Sequence, residues 1–252
     1  MSFDVAATAY DDFMGRYSRL LAEQMADLGG VRAGQRALDV GCGPGALTAE
    51  LVRRLGPEHV AAVEPSTPFV AAIRSRFPGV EIHQASAEAL PFPDGSFDAT
   101  LAQLVVHFMT DPVAGLVEMK RVTRPGGVVA ACVWDHGGGL GPLSLFWLAA
   151  RELDPAVHDE SGLAGASEGS LATLFLAAGL RDLEETVVSA DLEHRSFEEW
   201  WAPFTQGVGP AGSYTAGLDP ERQAQLREAC RRLLPAGSFV LPARAWAVCG
   251  IA

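Results

Sequence analysis

The stretch of sequence that decides the fold is Ala37-Leu-Asp-Val-Gly-Cys-Gly-Pro-Gly-Ala-Leu-Thr48. Its first four residues predict a short buried strand, in which apolar Leu38 and Val40 follow two polar residues. The three glycines that follow permit a tight turn with positive φ and a close approach of the backbone to a ligand. Leucines at positions 47, 51 and 55 then predict a helix that ends at Gly56-Pro57. Such a turn directs backbone N–H groups and a helix N-terminus towards a polar ligand, which is typical of nucleotide sites.

Two kinds of nucleotide site fit these glycines. The spacing Gly41-x-Gly43-x-x-Ala46 satisfies the loose dinucleotide fingerprint. Asp39 argues against a dinucleotide, because a carboxylate two residues before the first glycine would repel a pyrophosphate. With this aspartate the stretch resembles the first motif of the class I S-adenosylmethionine-dependent methyltransferases, whose cofactor carries an ammonium and a sulfonium. The resemblance implies that the cofactor binds Asp39, Gly41, Cys42, Gly43 and Gly45.

A second acid follows at the expected distance. His59-Val-Ala-Ala-Val-Glu64 predicts a short buried strand, and Glu64 lies 23 residues after Gly41. A carboxylate at the carboxyl end of that strand can accept hydrogen bonds from both ribose hydroxyls, as in other adenosine sites. Pro65 and Ser66, which begin the next helix, are expected beside it in the cofactor site.

The segment after the third predicted strand, Val80–Gln84, should hold the adenine. Ala85-Ser-Ala-Glu-Ala-Leu-Pro-Phe92 again resembles the methyltransferase family, but it has Ser86 where the family usually has an aspartate. Serine can accept one hydrogen bond without charge assistance. We therefore expect Ser86 and backbone groups near Ala87 to hold the adenine, with Glu88 as a second choice. Gln103, at the end of the fourth predicted strand (97–104), completes the expected cofactor contacts.

The N-terminal residues 6–28 predict one helix with an apolar stripe at i,i+4 spacing. The stripe consists of Phe13, Tyr17, Leu21 and Met25. The text from Tyr10 to Ser18 resembles the entry segment of many small-molecule methyltransferases, which folds over the cofactor as a lid. Arg16 could then meet the cofactor's carboxylate in a charge-assisted hydrogen bond.

Strands and helices alternate up to residue 134, which predicts an α/β fold with a doubly wound parallel sheet. Asp111-Pro112 is suited to begin a helix whose buried stripe is Val113, Leu116 and Val117, and 124–127 predicts a turn into the fifth strand. The family resemblance implies a Rossmann-like, mostly parallel sheet with an antiparallel C-terminal hairpin. We expect a single domain over 1–252, with a cofactor-binding core at about 35–134 and a helical insertion for substrate selection at about 196–235.

Composition limits the partners of the chain. The net charge is −12, without a lysine- or arginine-rich run, which disfavours nucleic acids and anionic membranes. The four cysteines have no metal-ligand spacing, so we expect no metal. Met1–Val5 lacks the start of a signal peptide, and no apolar stretch is long enough to span a membrane. These features predict a cytoplasmic protein that acts on a small molecule.

Methyl transfer from a sulfonium requires alignment and exclusion of water more than covalent catalysis. His107 is either a general base for a substrate hydroxyl or a packing histidine. Aromatic and imidazole side chains that could form a substrate pocket are Trp134, His136, Trp147, Trp200 and Trp201.

The sequence therefore predicts methyl transfer to a small, apolar or aromatic metabolite, with greatest similarity to the group containing the ubiquinone and menaquinone biosynthesis methyltransferases. The alternatives are a nicotinamide-dependent oxidoreductase and a methyltransferase-like binding protein without turnover. The acceptor atom (oxygen, nitrogen or carbon), the pathway and the oligomeric state are left open at this stage.

Overall fold

The computed structural model describes residues 7–252. Seven strands form one sheet in the order β3-β2-β1-β4-β5-β7-β6. The strands are β1 (Ala37–Val40), β2 (Val60–Val63), β3 (Glu81–His83), β4 (Phe97–Gln103), β5 (Thr123–Trp134), β6 (Arg181–His194) and β7 (Phe239–Ile251). β1 to β5 pair in parallel, whereas β7 pairs antiparallel with both β5 and β6. The Rossmann-like sheet with an antiparallel C-terminal hairpin is confirmed.

Ten α-helices accompany the sheet within residues 7–252. They are α1 (Ala7–Asp12), α2 (Met14–Leu28), α3 (Ala46–Leu55), α4 (Thr67–Arg76), α5 (Pro112–Val122), α6 (Ser144–Leu153), α7 (Ser170–Ala177), α8 (Phe197–Trp201), α9 (Gly209–Gly217) and α10 (Pro220–Leu233). Short 3-10 helices lie at Pro57–His59, Val106–Phe108, Glu160–Gly162 and Ala202–Gln206. None of the helices in this part of the chain combines the length and apolar character needed to cross a bilayer.

The sheet is covered by helices on both faces. β1 and β2 are buried at every position, as expected for central parallel strands between two layers. On one face the strands pack against Leu21 of α2 and Leu51 of α3. On the other face they pack against Leu116 of α5 and Phe175 of α7. This arrangement fixes the carboxyl ends of β1, β2 and β4 as one edge of the molecule.

The N-terminal helix differs from its prediction in continuity. It is broken at Phe13, whose φ of −101° and ψ of −92° are not helical, so α1 and α2 are separate helices. Residue 6 and the stretch 1–5, for which no signal peptide was expected, lie outside the described residues. The predicted stripe is confirmed, because Phe13, Tyr17, Leu21 and Met25 are all buried. The break gives α1 a direction of its own over the sheet edge.

The α5 stripe and the predicted turn into β5 also differ from the prediction. The stripe of α5 is Leu116, Met119 and Val122, while Val117 is 44% exposed. The predicted turn at 124–127 lies inside β5, where the register with β4 jumps from Thr123 to Val128. The C-terminal hairpin is long, because β6 and β7 satisfy each other's backbone in an antiparallel ladder that runs from Arg181 paired with Ile251 to His194 paired with Phe239.

A helical segment, here called the helical insertion, lies between β6 and β7. It comprises α8, the 3-10 helix at 202–206, α9 and α10, and it packs through an aromatic cluster against α6. Phe146 stacks on Phe204 with ring centroids 4.5 Å apart, and Phe13 meets Phe204 edge to face at 5.2 Å. The insertion is thereby joined both to α6 and to the break between α1 and α2.

Candidate functional site

A cavity of about 290 Å³, here called the main cavity, lies at the carboxyl ends of β1, β2 and β4. This is the crevice in which open α/β sheets bind ligands. Its walls come from the glycine turn, the ends of three strands, α1 and α2, and the 3-10 helix at 106–108. The predicted residues that line it are Asp39, Gly41, Cys42, Gly43, Glu64, Pro65, Ser86, Ala87, Glu88 and Gln103.

The glycine turn is rigid and shaped by close contacts. Gly41 has a φ of +67°, and a Cβ added there would lie 2.5 Å from Cγ1 of Val105. The turn uses its own N–H groups inside the protein. Those of Gly41 and Cys42 donate to the carbonyl of Val63, at 2.8 and 3.1 Å. The expectation that free turn amides hold the ligand is therefore wrong for these two residues, and the turn contributes shape and proximity.

Glu64 is held in place by the backbone of two neighbouring segments. Its Oε2 accepts from the Gly43 N–H and its Oε1 from the Ser66 N–H, both at 2.9 Å. Burial raises the pKa of this carboxyl group, and the two backbone hydrogen bonds oppose that rise. Each carboxylate oxygen keeps a further lone pair, so Glu64 can accept two more hydrogen bonds from a ligand.

Asp39 and Gln103 place further acceptors at the main cavity. Asp39 is 1% exposed, accepts from the Thr48 hydroxyl at 2.6 Å, and has its pKa raised to about 7 by burial. The Nε2 of Gln103 donates to the carbonyl of Ser18 at 2.9 Å, whereas its buried Oε1 has no hydrogen-bond partner. An unpaired buried acceptor is costly, so a ligand that donates a hydrogen bond would be stabilised here.

The far end of the main cavity is lined by Ser86, Ala87 and Glu88. Glu88 accepts from the N–H groups of Thr110 and Asp111, at 2.8 and 3.3 Å. The pKa of Glu88 is below its usual value. Burial alone would raise this pKa, but the hydrogen bonds from Thr110, Asp111, Ser86 and its own backbone outweigh the effect of burial. Glu88 thus orders the loop after β4, and it lines the main cavity together with Ser86 and Ala87.

Three predicted contacts do not line the main cavity. Ser66 acts through Glu64, and Gly45 supports the turn, since a Cβ there would lie 2.5 Å from Cε2 of Phe77. The placement expected for Arg16 is wrong. Its guanidinium forms an ion pair with Glu199 at 3.0 Å, because the break at Phe13 turns this part of α2 towards α8.

Several lining residues were not predicted. They are Tyr10, Asp11, Gly15, Ser18, Phe69, Phe108, Met109 and Thr110. The lining residues of α1 and α2 lie in the segment that resembles a lid. The resemblance therefore indicated this region of the chain but did not identify its individual lining side chains. Leu104, which also lines the cavity, has a φ of +62° that no residue pattern indicates.

A second cavity of about 40 Å³ adjoins the main cavity and shares Tyr10, Leu104 and Phe108 with it. Its remaining walls are Phe13, Met14, His107, Trp134, His136, Leu143, Glu160, Val208, Gly209 and Pro210. The last three belong to the helical insertion, which therefore closes one side. Of the aromatic candidates, Trp134 and His136 line this cavity, while Trp200 and Trp201 belong to the aromatic cluster.

The polar groups of the second cavity are deeply buried. Burial lowers the pKa of His107 to about 3 and that of His136 to about 4, so both rings are neutral at pH 7. Burial raises the pKa of Glu160 to about 7. Trp147 Nε1 donates to Glu160 Oε2 at 2.8 Å and fixes that side chain. A pKa near 3 makes His107 a weak base, which favours the packing interpretation over the general base.

Comparison with known proteins identifies the core. Residues 38–131 match the family described as a methyltransferase domain. The chain carries a methyltransferase domain. It is 35% identical over 128 residues to malonyl-[acyl-carrier protein] O-methyltransferase of Erwinia billingiae, covering 51% of this chain and 50% of that protein. It is 38% identical over 136 residues to a ubiquinone/menaquinone biosynthesis C-methyltransferase of Hahella chejuensis, covering 50% and 55%.

The solved structures agree with the fold. A SAM-dependent methyltransferase of Thermotoga maritima superposes with a TM-score of 0.53 at 19% identity, covering 97% of this chain and 98% of that one. The chain spans about half the length of the curated relatives it matches. The methyltransferase domain has the class I, Rossmann-like fold of that solved structure, a protein that by its name depends on S-adenosylmethionine.

The residues of the main cavity fit this cofactor. Glu64 has free lone pairs for ribose hydroxyls, and Gln103 Oε1 is a buried acceptor without a partner. Asp39 and Glu64 make the cavity negative where a cationic cofactor needs compensation. Glycine at position 41 leaves no side chain between the turn and Val105. The main cavity therefore offers hydrogen-bond acceptors for the ribose, negative charge for the ammonium group, and a turn whose backbone a ligand can approach closely.

Proposed function

We propose that this protein transfers a methyl group from S-adenosylmethionine to a small acceptor bound where the main cavity and the second cavity meet. The single observation that carries the proposal is the wall common to the two cavities, formed by Tyr10, Leu104 and Phe108. Because these side chains line both spaces, the two cavities adjoin there, and an opening between them would bring the methyl group into contact with the acceptor. Direct transfer requires two reactants at such close range and in a fixed orientation.

The cofactor supplies an activated methyl group bound to a positively charged sulfur. The residues of this chain would bind the cofactor and hold it in a fixed orientation. Glu64 would accept from the ribose hydroxyls, and Asp39 with Gln103 would surround the amino-acid end. Ser86 and the Ala87 backbone would meet the adenine. Arg16, turned away to Glu199, has no part in this proposal.

The acceptor is proposed to be an apolar or aromatic metabolite. The second cavity is lined largely by apolar and aromatic side chains, and the insertion closes it at Val208. Apolar walls exclude water and favour dispersal of the positive charge in the transition state. The quinone-pathway enzyme among the relatives acts on this type of compound by its name, which supports the proposal for the acceptor class.

The tilted helix α1 is proposed to act as a lid. Tyr10 and Asp11 line the main cavity, and Arg76 of α4 pairs with Asp11 at 2.5 Å. The same guanidinium donates to the carbonyl of Pro44 in the glycine turn at 3.0 Å. One arginine thus links α1 to the turn below it, and release of this link would uncover the cavity.

A nicotinamide dinucleotide is disfavoured by the glycine turn. The N–H groups of Gly41, Cys42 and Gly43 already donate within the protein, so they are unavailable to a pyrophosphate. Asp39 and Glu64 would add repulsion.

The test measures binding and transfer separately. Calorimetry with S-adenosylmethionine, S-adenosylhomocysteine and NADH should give binding of the first two only. Incubation with isotopically methyl-labelled cofactor and a panel of quinols, phenols and aromatic amines should label at least one acceptor. Tight NADH binding would support the oxidoreductase, and cofactor binding without any labelled product would support a non-catalytic binding protein.

A further inference from the structure

The second cavity contains a set of polar groups that methyl transfer does not account for. His107, His136 and Glu160 are 7%, 8% and 4% exposed, and all three line this otherwise apolar space. His107 Nδ1 and His136 Nε2 are buried and have no hydrogen-bond partner. Buried polar groups are normally paired, so two unpaired ring nitrogens in one cavity point to a ligand.

The positions of His136 and Glu160 define which group could lie between these two side chains. His136 Nε2 and Glu160 Oε1 are 4.0 Å apart, too far for a direct hydrogen bond. An atom about 2.8 Å from each would bridge them with good hydrogen-bond lengths. Glu160 is not free to close the gap, because its other oxygen accepts from Trp147 Nε1. The loop that carries it is held by the ion pair between Arg151 and Asp159.

The chemistry of the pair selects an amphiprotic, neutral group. Above about pH 7 Glu160 is ionised and requires a donor, while the neutral His136 offers either N–H or a lone pair at Nε2. A hydroxyl both donates and accepts, so it satisfies the pair in either tautomer. A carbonyl or ether oxygen only accepts and would face the carboxylate. A ligand ammonium would be desolvated by the same burial that keeps both imidazoles neutral.

We propose that the acceptor bears a hydroxyl group on an apolar or aromatic body, and that this hydroxyl bridges His136 Nε2 and Glu160 Oε1. This inference rests on the proposed function, because it places the acceptor at the junction of the two cavities with its hydroxyl in the second cavity. The pair is an anchor that selects and orients the acceptor. His136 and Glu160 are accordingly specificity-determining residues, whichever atom receives the methyl group.

The experiment compares matched probes on the protein saturated with S-adenosylhomocysteine, whose binding is measured first. The probes are 4-ethylphenol, 4-ethylanisole, 4-methylacetophenone and 4-methylbenzylamine, each titrated by ligand-observed NMR. We expect 4-ethylphenol to bind at least about tenfold more tightly than its methyl ether, because the ether leaves the carboxylate unpaired. Failure to bind S-adenosylhomocysteine would contradict the proposed function itself, and is thereby distinguished from failure of the anchor.

Two variants test the anchor and one serves as a control. In Glu160→Gln the amide oxygen must still accept from Trp147, so the NH₂ group faces His136 and presents a donor. The preference should then shift about tenfold or more towards 4-methylacetophenone. His136→Phe should weaken binding of 4-ethylphenol, because its hydroxyl loses one of its two partners, while the Glu160 carboxylate keeps a preference for the phenol over the ether. The exposed Glu168→Gln, in the same connecting segment, should leave all four affinities unchanged.

The outcomes that overturn the proposal are specific. They are equal affinities for 4-ethylphenol and 4-ethylanisole, tighter binding of 4-methylbenzylamine, an unchanged preference in Glu160→Gln, and no binding of the phenol by protein that binds S-adenosylhomocysteine. In each variant, unchanged S-adenosylhomocysteine affinity and an intact near-UV circular dichroism spectrum report that the fold is retained.

Discussion

At the scale of single residues, the site depends on side chains that serve the protein and the ligand together. Glu64 is the clearest case, because the same two oxygens that would meet the ribose also fix the glycine turn and the start of α4. Gly41 has a similar double role through its backbone, because the absence of a side chain lets Val105 pack directly against the turn. Substitution of Glu64 should therefore affect ligand affinity, whereas substitution of Gly41 should affect the stability of the turn.

Glu64→Gln should weaken S-adenosylmethionine binding about ten- to hundredfold, because a neutral amide replaces a charged acceptor. Isothermal titration calorimetry measures this affinity directly. Glu168→Gln, with an exposed side chain, provides the matched control. An unchanged affinity in Glu64→Gln would show that the ribose assignment is wrong.

Gly41→Ala should lower the free energy of unfolding by about 1–3 kcal/mol, since φ of +67° is strained for alanine and its Cβ meets Val105. Urea denaturation measures the change. The double variant Gly41→Ala/Val105→Ala should recover only the steric part, since the backbone strain remains. Full recovery would mean that the positive φ costs nothing at this site.

At the scale of elements, the break at Phe13 and the insertion after β6 decide the architecture around the site. The first gives α1 its position over the main cavity, and the second brings Val208 to the second cavity. Both elements are held to the core by few polar links. Arg76 joins α1 to α4, and Arg16 joins α2 to α8.

Arg76→Gln should raise the dissociation rate of S-adenosylmethionine about two- to fivefold, because partly exposed ion pairs contribute less than about 1 kcal/mol. Stopped-flow measurement should show a smaller difference from the unmodified protein at 1 M salt, where the pair is screened. Arg53→Gln removes an ion pair within α3 alone and is the control. A rate that does not respond to Arg76→Gln would contradict the lid.

The sequence predicted those elements whose pattern is local. Strands β1, β2 and β4 follow from short apolar runs beside glycines and acids, and the Asp111 cap follows from one dipeptide and is confirmed by its 3.0 Å hydrogen bond from the Ala114 N–H. Features that depend on distant partners escaped prediction. Glu160 becomes buried only because α6 brings Trp147 to it, and Arg16 is diverted by Glu199, 183 residues later in the chain.

At the scale of the whole molecule, buried titratable groups oppose one another. Asp39 and Glu160 both have a pKa raised to about 7, so their ionisation reduces stability as the pH rises from about 4 to 7. His107 and His136 have pKa values of about 3 and 4, so stability is lost as the pH falls below 6.5. Between about pH 4 and pH 6.5, the stability that these two acids lose as the pH rises is opposed by the stability that these two histidines gain.

Glu160→Gln should separate these contributions. The variant lacks the acid whose pKa rises from 4.5 to about 7 on folding, a change that corresponds to roughly 3 kcal/mol. Relative to the unmodified protein without cofactor, its free energy of unfolding should therefore increase between pH 5 and pH 8. Urea denaturation at both pH values, with Glu168→Gln alongside, measures this. Parallel curves for Glu160→Gln and the unmodified protein would contradict the buried acid.

The strand order of the sheet also has a consequence for biosynthesis. Among residues 7–252, β6 pairs with β7 alone, and β7 fills the space between β5 and β6. While a ribosome is still translating the 44 residues between those two strands, β5 has a bare hydrogen-bonding edge and β6 has no neighbour. We expect nascent chains stalled before residue 239 to recruit chaperones or to aggregate, and late completion of the hairpin to limit how early the protein can fold.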